Sequence, residues 1–422
     1  MTYSTDESFA HDLDAKDPLR GYRDRFHVPL DRTGKPVIYF CGNSLGLMPR
    51  AAREAVTQEL DDWAGLGVDA HFEGRSPWYS YHEQFREVGA RLVGARPGEV
   101  VMMNSLTVNL HLMMATFYRP TRRRYKILMD WPAFPSDIYA ARSQTGMHRF
   151  DPNDAIIYVK PRDGEHSIRP RDIESILEDH GDMIALVLLS GVNFFTGQFY
   201  DVGRLAETAR REGCVVGLDL AHAAGNVSLS LHDWGVDFAV WCSYKYLNSG
   251  PGAVAGCFVH ERHAGNPDLP RLAGWWGNDP KTRFLMHLQP EFVPVASAEA
   301  WQISNPPILS MAPLRTSLQI FDEAGMPALR AKSELLTGYL RFLIGQMPSD
   351  RYEIITPKDP RQHGCQLSIL AGAHPKELFK RLDAAGVKGD FREPNVIRVA
   401  PVPLYNTFHE VWRFAQILRL HA

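Results

Sequence analysis

VVGLDLAHAAGN, residues 215–226, and DFAVWCSYKYLNSGPG, residues 237–252, each hold an unbroken apolar run that ends in an acid or a base. Such a run, with no polar residue at every second place, suits a strand covered on both faces by helices. Further short apolar runs lie at 100–103, 127–129, 156–159, 184–189 and 253–259, with helical patterns between them. Asp201 can cap a helix that runs to about Arg211 and stops at Gly213, and 171–180 sets Ile173, Ile176 and Leu177 on one face before Gly181. The alternation predicts an α/β fold on a mostly parallel, doubly wound sheet. Beyond about residue 310 the pattern changes to helical stretches over 314–321 and 329–344, then strand-like 352–355, 366–370 and 396–399 around a helix over 376–385. That mixture predicts a smaller α+β domain. The expected division is an N-terminal segment 1–70 that joins the small domain and reaches the active site, a large domain 71–310 and a small domain 311–422.

The bulk numbers narrow the function classes. A chain of 422 residues, 45% apolar, can bury a large core. Its 46 basic and 49 acidic side chains leave a net charge of −3, which offers no field for gathering nucleic acid or anionic membrane. The one basic run, Arg122, Arg123 and Arg124, precedes an apolar run and suits a solvated loop. Cys41, Cys214, Cys242, Cys257 and Cys365 are odd in number and widely spaced, as reduced thiols in a cytosolic protein would be. The start MTYSTDESFAHDLDAKD lacks the basic and apolar parts of a signal peptide, and no run approaches the roughly 18 apolar residues of a membrane span. A cytoplasmic location is therefore expected.

In an open α/β sheet the carboxyl ends of the strands line the ligand crevice, so Asp219, His222 and Lys245 are expected to converge there. A lysine directly after a buried strand is costly to desolvate unless it is paired or consumed in a covalent bond. Pyridoxal 5′-phosphate accounts for both charged residues. The Lys245 amine would form a Schiff base, and Asp219, 26 positions earlier, would keep the pyridine nitrogen protonated. A structural Asp–Lys pair is the plainer alternative. Residues 104–109, NSLTVN, stand where a strand gives way to a helix, a place whose free amides suit a phosphate, although Ser105 or Thr107 would also serve as an ordinary N-cap. Phe134, in a proline-bounded loop, could cover the pyridine ring or simply fill the core. Arg398, a cation inside an apolar strand pattern, suits an α-carboxylate fork or a satisfied structural role.

These segments together resemble kynureninase, a member of the aspartate-aminotransferase-like (fold type I) superfamily. The resemblance runs from YFCGNSLG (39–46) through SLTVNLHL (105–112), AFPSD (133–137), DLAHAAGN, the stretch from Leu231 to Gly252, GWWG (274–277), QISNPP (302–307) and IRVAPVPLYN (397–406). It implies Lys245 as the Schiff-base lysine, Asp219 on the pyridine nitrogen, Phe134 on the ring, and Leu106 and Thr107 at the phosphate. Ser136, Asp137, Ser190, His222 and Tyr244 would complete that shell, Tyr244 also trading protons during catalysis. Trp275 and Asn305 match cofactor residues contributed across a homodimer interface, and Arg398 matches the substrate-carboxylate arginine. The implied reaction is hydrolysis of the Cβ–Cγ bond of kynurenine or 3-hydroxykynurenine to alanine and an anthranilate, in tryptophan degradation and NAD precursor supply. No metal enters it. His71, Ser304 and Asn305, with Ser44, resemble the pattern associated with 3-hydroxykynurenine, although Asn278 stands where that subgroup has a histidine. A desulfurase or β-lyase of the same fold, or a relative that has lost catalysis, are the rival readings. The first needs a nucleophilic cysteine in a mobile polar loop, and the second is at odds with Lys245, Asp219, Tyr244 and Arg398 all being present.

Overall fold

The computed structural model describes residues 2–266, 268–289, 291–348 and 351–421. A seven-stranded sheet is built from β1 (Val100–Met102), β2 (Lys126–Asp130), β3 (Ile156–Val159), β4 (Ile184–Ser190), β5 (Val215–Asp219), β6 (Phe238–Trp241) and β7 (Gly256–Val259). The order is β1-β7-β6-β5-β4-β2-β3. Strand β7 runs antiparallel to both neighbours, and the other pairs are parallel. Each of the seven apolar runs read from the sequence is a strand of this sheet.

The helices of ten residues or more are α1 (Glu7–Lys16), α2 (Ala52–Leu66), α3 (Leu106–Phe117), α4 (Pro135–Met147), α5 (Pro170–His180), α6 (Val202–Arg211), α7 (Ile308–Ala324), α8 (Met326–Gly345), α9 (Pro375–Ala384) and α10 (Phe408–Leu420). Every residue of β4 is buried. Leu186 and Leu188 pack on one face with Ile127, Met129 and Val240 beneath α3 and α4, while Val187 and Leu189 pack on the other with Leu128, Val216 and Leu218 beneath α5 and α6. Two covered faces explain why the strands read as continuous apolar runs rather than alternating ones. At the start of α6 the Asp201 carboxylate accepts the Arg204 amide hydrogen at 3.3 Å, the N-cap that its sequence position implied.

A second, antiparallel sheet contains β8 (Tyr352–Ile354), β9 (Leu367–Ala371), β10 (Asp390–Arg392) and β11 (Val396–Val399) in the order β8-β9-β11-β10. Its core joins Leu340, Leu343, Ile369, Val399 and Phe414 to Ala10, Ile38 and Phe40 from the start of the chain. The backbone makes the same junction, because Ile38–Tyr39 pairs with Val387–Lys388 and the Ala400 amide donates to the Phe40 carbonyl at 2.9 Å. A buried ion pair adds to it, Lys332 Nζ lying 2.7 Å from Asp17 Oδ2. Among the described residues no helix is long and apolar enough to cross a membrane.

One glycine of the central sheet is fixed by its neighbour. A Cβ on Gly217 would stand 2.1 Å from Cζ of Phe238, its register partner on β6, and that ring is fully buried and stacked on Phe117 at 5.3 Å. Gly217→Ala is expected to lower stability by about 1–3 kcal/mol through overpacking. The measurement is the urea midpoint at unchanged slope. Adding Phe238→Leu should recover part of the loss, and no midpoint change in the single variant would show that the ring can move aside freely.

Candidate functional site

The ends of five strands lead into a hollow that two helix starts help to line. β4 ends at Ser190, which is in register with Asp219 at the end of β5, and Asp219 is in register with Val240 of β6, four residues before Tyr244 and five before Lys245. β2 leads through a short loop to Phe134, which precedes α4, and β1 leads to α3, whose first residues are Leu106 and Thr107. The hollow is lined by Leu106, Thr107, Phe134, Ser136, Asp137, Ser190, Val192, Phe194, Asp219, Ala221, His222, Tyr244 and Lys245. Ten of the cofactor-shell residues expected from the sequence are thus in one place. Val192, Phe194 and Ala221 were missed. They lie two to four residues past a strand end, and no polar or periodic signal marks them.

The electrostatics of the hollow follow from burial. Lys245 Nζ donates to His222 Nε2 at 3.1 Å and stands 5.7 Å from the Phe134 ring centre. Burial, reinforced by the charges of Lys245, Arg398 and Arg392, pushes the His222 pKa well below the usual histidine range, so the imidazole is neutral. Asp137 is pushed the other way, well above the usual carboxylate range, by burial and by the Asp219 carboxylate against it. Burial, Cys242 and Asp219 together raise the Tyr244 phenol, which therefore keeps its proton.

Arg398 is close by but not free. It is fully buried, its Nε and a terminal nitrogen meet the Asp390 carboxylate at 3.1 and 2.8 Å, and another nitrogen donates to the Phe194 carbonyl at 2.6 Å. Asp390 was not singled out from the sequence, and its surroundings, KGDFRE, carry no pattern that would have marked it. Gly46 of the YFCGNSLG segment packs under the Lys245 turn. Its amide donates to the Tyr244 carbonyl at 2.8 Å, and a Cβ there would lie 2.3 Å from the Lys245 carbonyl oxygen. Ser44, two residues before it, is exposed.

His71, Ser304, Asn305 and Trp275 do not line the Lys245 hollow. His71 and Asn305 share a separate hollow of about 450 Å³ with Glu59, Trp63 and Trp78, Ser304 is exposed beside it, and Trp275 packs edge-on against Trp276 at 4.8 Å. Asn278 is buried and committed within its own loop, accepting from the Val293 amide at 2.8 Å and donating to Thr282 Oγ1 at 3.3 Å.

The donor set of the Lys245 hollow fits a flat ring with a phosphate arm. Ser105 gives α3 no side-chain cap, and among the described residues the Leu106 and Thr107 amides meet no acceptor, while Thr107 Oγ1 and Ser136 Oγ lie 3.1 Å apart beside them. The buried Oδ1 of Asp137 and Nδ1 of His222 have no partner among the described residues. Two carboxylates in one dry hollow call for a proton or a cation between them, and a protonated pyridine nitrogen would supply both. Thiol chemistry is not prepared here. Burial, with Asp390 nearby, pushes Cys41 up to about 11, burial carries Cys214 to about 11 and Cys365 to about 12, and it also raises Cys242 and Cys257.

A family model described as the kynureninase C-terminal domain matches residues 329–418. A kynureninase of Myxococcus xanthus is 56% identical over 420 residues, covering 100% of this chain and 98% of that one. One from Koribacter versatilis is 53% identical, covering 98% and 97%. Among solved structures, a mutant of the lyase C-DES with glycine covalently linked to its PLP cofactor superposes with a TM-score of 0.75 at 17% identity, covering 90% of this chain and 96% of that one. A cysteine desulfurase from Thermococcus onnurineus superposes with a TM-score of 0.72 at 17% identity, covering 97% of each. At that identity the likeness carries the fold.

The neutral His222 makes stability depend on pH. Its folded-state pKa is depressed, so its contribution is complete above about 6.5, the unfolded value, and is lost as pH falls toward the folded value. In cofactor-free protein, the unfolding free energy of the wild type relative to His222→Gln is expected to fall below pH 6.5 with a slope of up to about 1.4 kcal/mol per unit. A difference that stays flat from pH 7 to 5 would mean that the imidazole charges freely in the fold.

Proposed function

Because the chain belongs to the kynureninase family, hydrolases that split kynurenine into anthranilate and alanine, we propose that the Lys245 hollow holds the pyridoxal phosphate cofactor and performs this cleavage. The single observation that carries the proposal is the convergence of Lys245, Asp219, Asp137 and the free α3 amides on one hollow. When bound, the cofactor supplies an electron sink for the pair released at the substrate. Lys245 would be its covalent anchor, Asp219 would hold its ring nitrogen with Asp137 beside it, Phe134 would cover its face, and Leu106, Thr107 and Ser136 would hold its phosphate. His222, neutral and hydrogen-bonded to Nζ, keeps the lysine amine aimed into the hollow. Ser190 closes the shell.

The residues then divide the proton work. The Arg398 fork, aligned by Asp390, takes the substrate α-carboxylate. Lys245 Nζ, aimed into the hollow by His222, would take the Cα proton. Water adds to the γ-carbonyl carbon, the Cβ–Cγ bond breaks, and the aryl half leaves as an anthranilate; Cβ gains a proton, and the proton held by Lys245 returns to Cα to complete alanine. Tyr244, with its phenol kept protonated by burial, is the acid for the transfer to Cβ.

The second hollow we assign to substrate recognition across a homodimer. It lies beside exposed apolar side chains, Trp63, Phe72 and Phe284, each 58–60% exposed, a patch that suits a second copy of the chain. Trp275 and Asn305 of one copy would complete the cofactor site of the other. His71 Nδ1 donates to the Val68 carbonyl at 3.0 Å, which leaves Nε2 as an acceptor and gives a ring hydroxyl a partner. With Ser304, Asn305 and Ser44 this favours 3-hydroxykynurenine. A division at residues 70 and 310, a reducing cytosol and a place in tryptophan degradation complete the proposal.

Reconstitution tests the core of it. Wild type should turn yellow with the cofactor and release alanine from kynurenine, with borohydride fixing the label on Lys245. Lys245→Ala should do neither, and a yellow, active Lys245→Ala would sink the assignment. For the ring hydroxyl, His71→Phe should lower kcat/KM for 3-hydroxykynurenine about tenfold more than for kynurenine, the worth of one hydrogen bond. Equal losses on both substrates would remove His71 from recognition.

A further inference from the structure

At the sheet edge opposite Lys245 a second polar cluster ties three segments together. Glu99 immediately precedes β1, His260 immediately follows β7, and His232 lies on the short helix Leu231–Trp234. Glu99 is fully buried, and the two histidine side chains are 19% and 12% exposed. Glu99 Oε1 lies 2.9 Å from His232 Nδ1 and 3.6 Å from His260 Nδ1, and all three atoms fall within 4.8 Å of one another. The two imidazole rings stack, with centres 4.8 Å apart and planes 25° from parallel.

We propose that Glu99, His232 and His260 bind a divalent transition metal of the zinc class. Zinc holds nitrogen and oxygen ligands at about 2.0–2.2 Å in a near-tetrahedral array, which sets donor atoms roughly 3–3.6 Å apart. The two separations from Glu99 Oε1 bracket that spacing. Each imidazole can turn to the ion a nitrogen that now takes part in a hydrogen bond. The Arg262 amide donates to His260 Nδ1 at 3.2 Å, which marks that nitrogen as the unprotonated one. The proton that His232 Nδ1 shares with Glu99 moves to Nε2 when the ion takes its place, so the step leaves the imidazole neutral. The outer contacts are those of an oriented ligand, because Glu99 Oε2 accepts from the Arg96 amide at 2.8 Å and Oε1 accepts from the Glu261 amide at 2.8 Å. The neighbouring cations are already paired, Arg96 with Glu261 and Arg262 with Asp237, which leaves the Glu99 charge to face the ion. A set without sulfur favours zinc, cobalt or nickel, and its two imidazoles disfavour magnesium and calcium. Its place, away from the Lys245 hollow, makes it a staple joining β1, β7 and the helix Leu231–Trp234.

The test uses tag-free, cofactor-loaded enzyme stripped with a chelator and titrated with zinc and, separately, cobalt. One equivalent should bind, cobalt should show the visible bands of a low-coordinate site, and the melting temperature should rise with zinc concentration. His232→Gln and His260→Gln should each weaken binding at least about tenfold, the least that loss of even an outer partner costs. Their cofactor absorbance should stay unchanged. Glu7, His11 and His409 form an exposed cluster of similar composition and serve as the control. Binding that survives both histidine changes, or that disappears in His409→Gln instead, overturns the proposal. Should the variants fail to fold, absence of the cobalt bands in the wild type overturns it alone.

Discussion

Bringing several ionisable groups together in one small hollow is the constraint around which the rest is arranged. His222, Asp137 and Asp219 are buried there and Lys245 is half-buried, and an unpaired charge among them is costly to desolvate. The chain balances them by position. His222 stays neutral beside Lys245, Asp137 is driven toward its protonated form by burial and by Asp219, and Tyr244 keeps its phenolic proton. Each of these states is the one that the proposed chemistry requires, an aimed amine, an acidic partner for a ring nitrogen and an acid near the breaking bond.

The sheet makes that balance possible because parallel strands end on the same side. A run of backbone carries each group to the edge, and the loops need only hold it there. The loop after β4 does more than hold. Buried Asp130 at the end of β2 accepts from the Ser190 amide at 2.9 Å, from Asn193 Nδ2 at 2.9 Å and from the Tyr200 hydroxyl at 3.2 Å, while Asn193 Oδ1 accepts from the amides of Phe195 and Thr196. The loop so fixed packs Phe194 edge-on against Phe134 and offers the Phe194 carbonyl to Arg398. Gln366 Nε2 reaches the same carbonyl at 3.0 Å from the C-terminal sheet. The proposed ring face and the proposed carboxylate fork are therefore mechanically joined through one residue.

Legibility from sequence tracks the physics of burial. Strands covered on both faces leave unbroken apolar runs, so all seven strands of the central sheet could be read, and Asp219 and Lys245 stood out as charges at the ends of such runs. Arg398 was visible for the same reason, a cation among Ile397, Val399 and Ala400. Its partner Asp390 was not, because β10 is a short, half-buried strand with charges at both ends. Phe194 and Asp130 were equally silent. An aromatic in an apolar run and a carboxylate at a strand end have many structural uses, and only the fold selects one. The grouping of His71 with Asn305 joins residues far apart in the chain and was open to the family resemblance alone.

Fold likeness to cysteine desulfurases at 17% identity shows how little the scaffold decides. A desulfurase needs a reactive thiolate, whereas burial raises all five thiols here, and Cys41, the one nearest Arg398, donates its hydrogen to the Gly389 carbonyl at 3.4 Å. With sulfur chemistry silenced, the proposed proton work falls to Lys245 and Tyr244, adjacent on one turn that Gly46 clamps from below. A glycine is required there by contact, since any side chain would strike the Lys245 carbonyl. The YFCGNSLG segment thus belongs to the site through its backbone, and it couples the N-terminal segment, packed in the C-terminal core through Ile38 and Phe40, to the lysine on which the proposed chemistry depends.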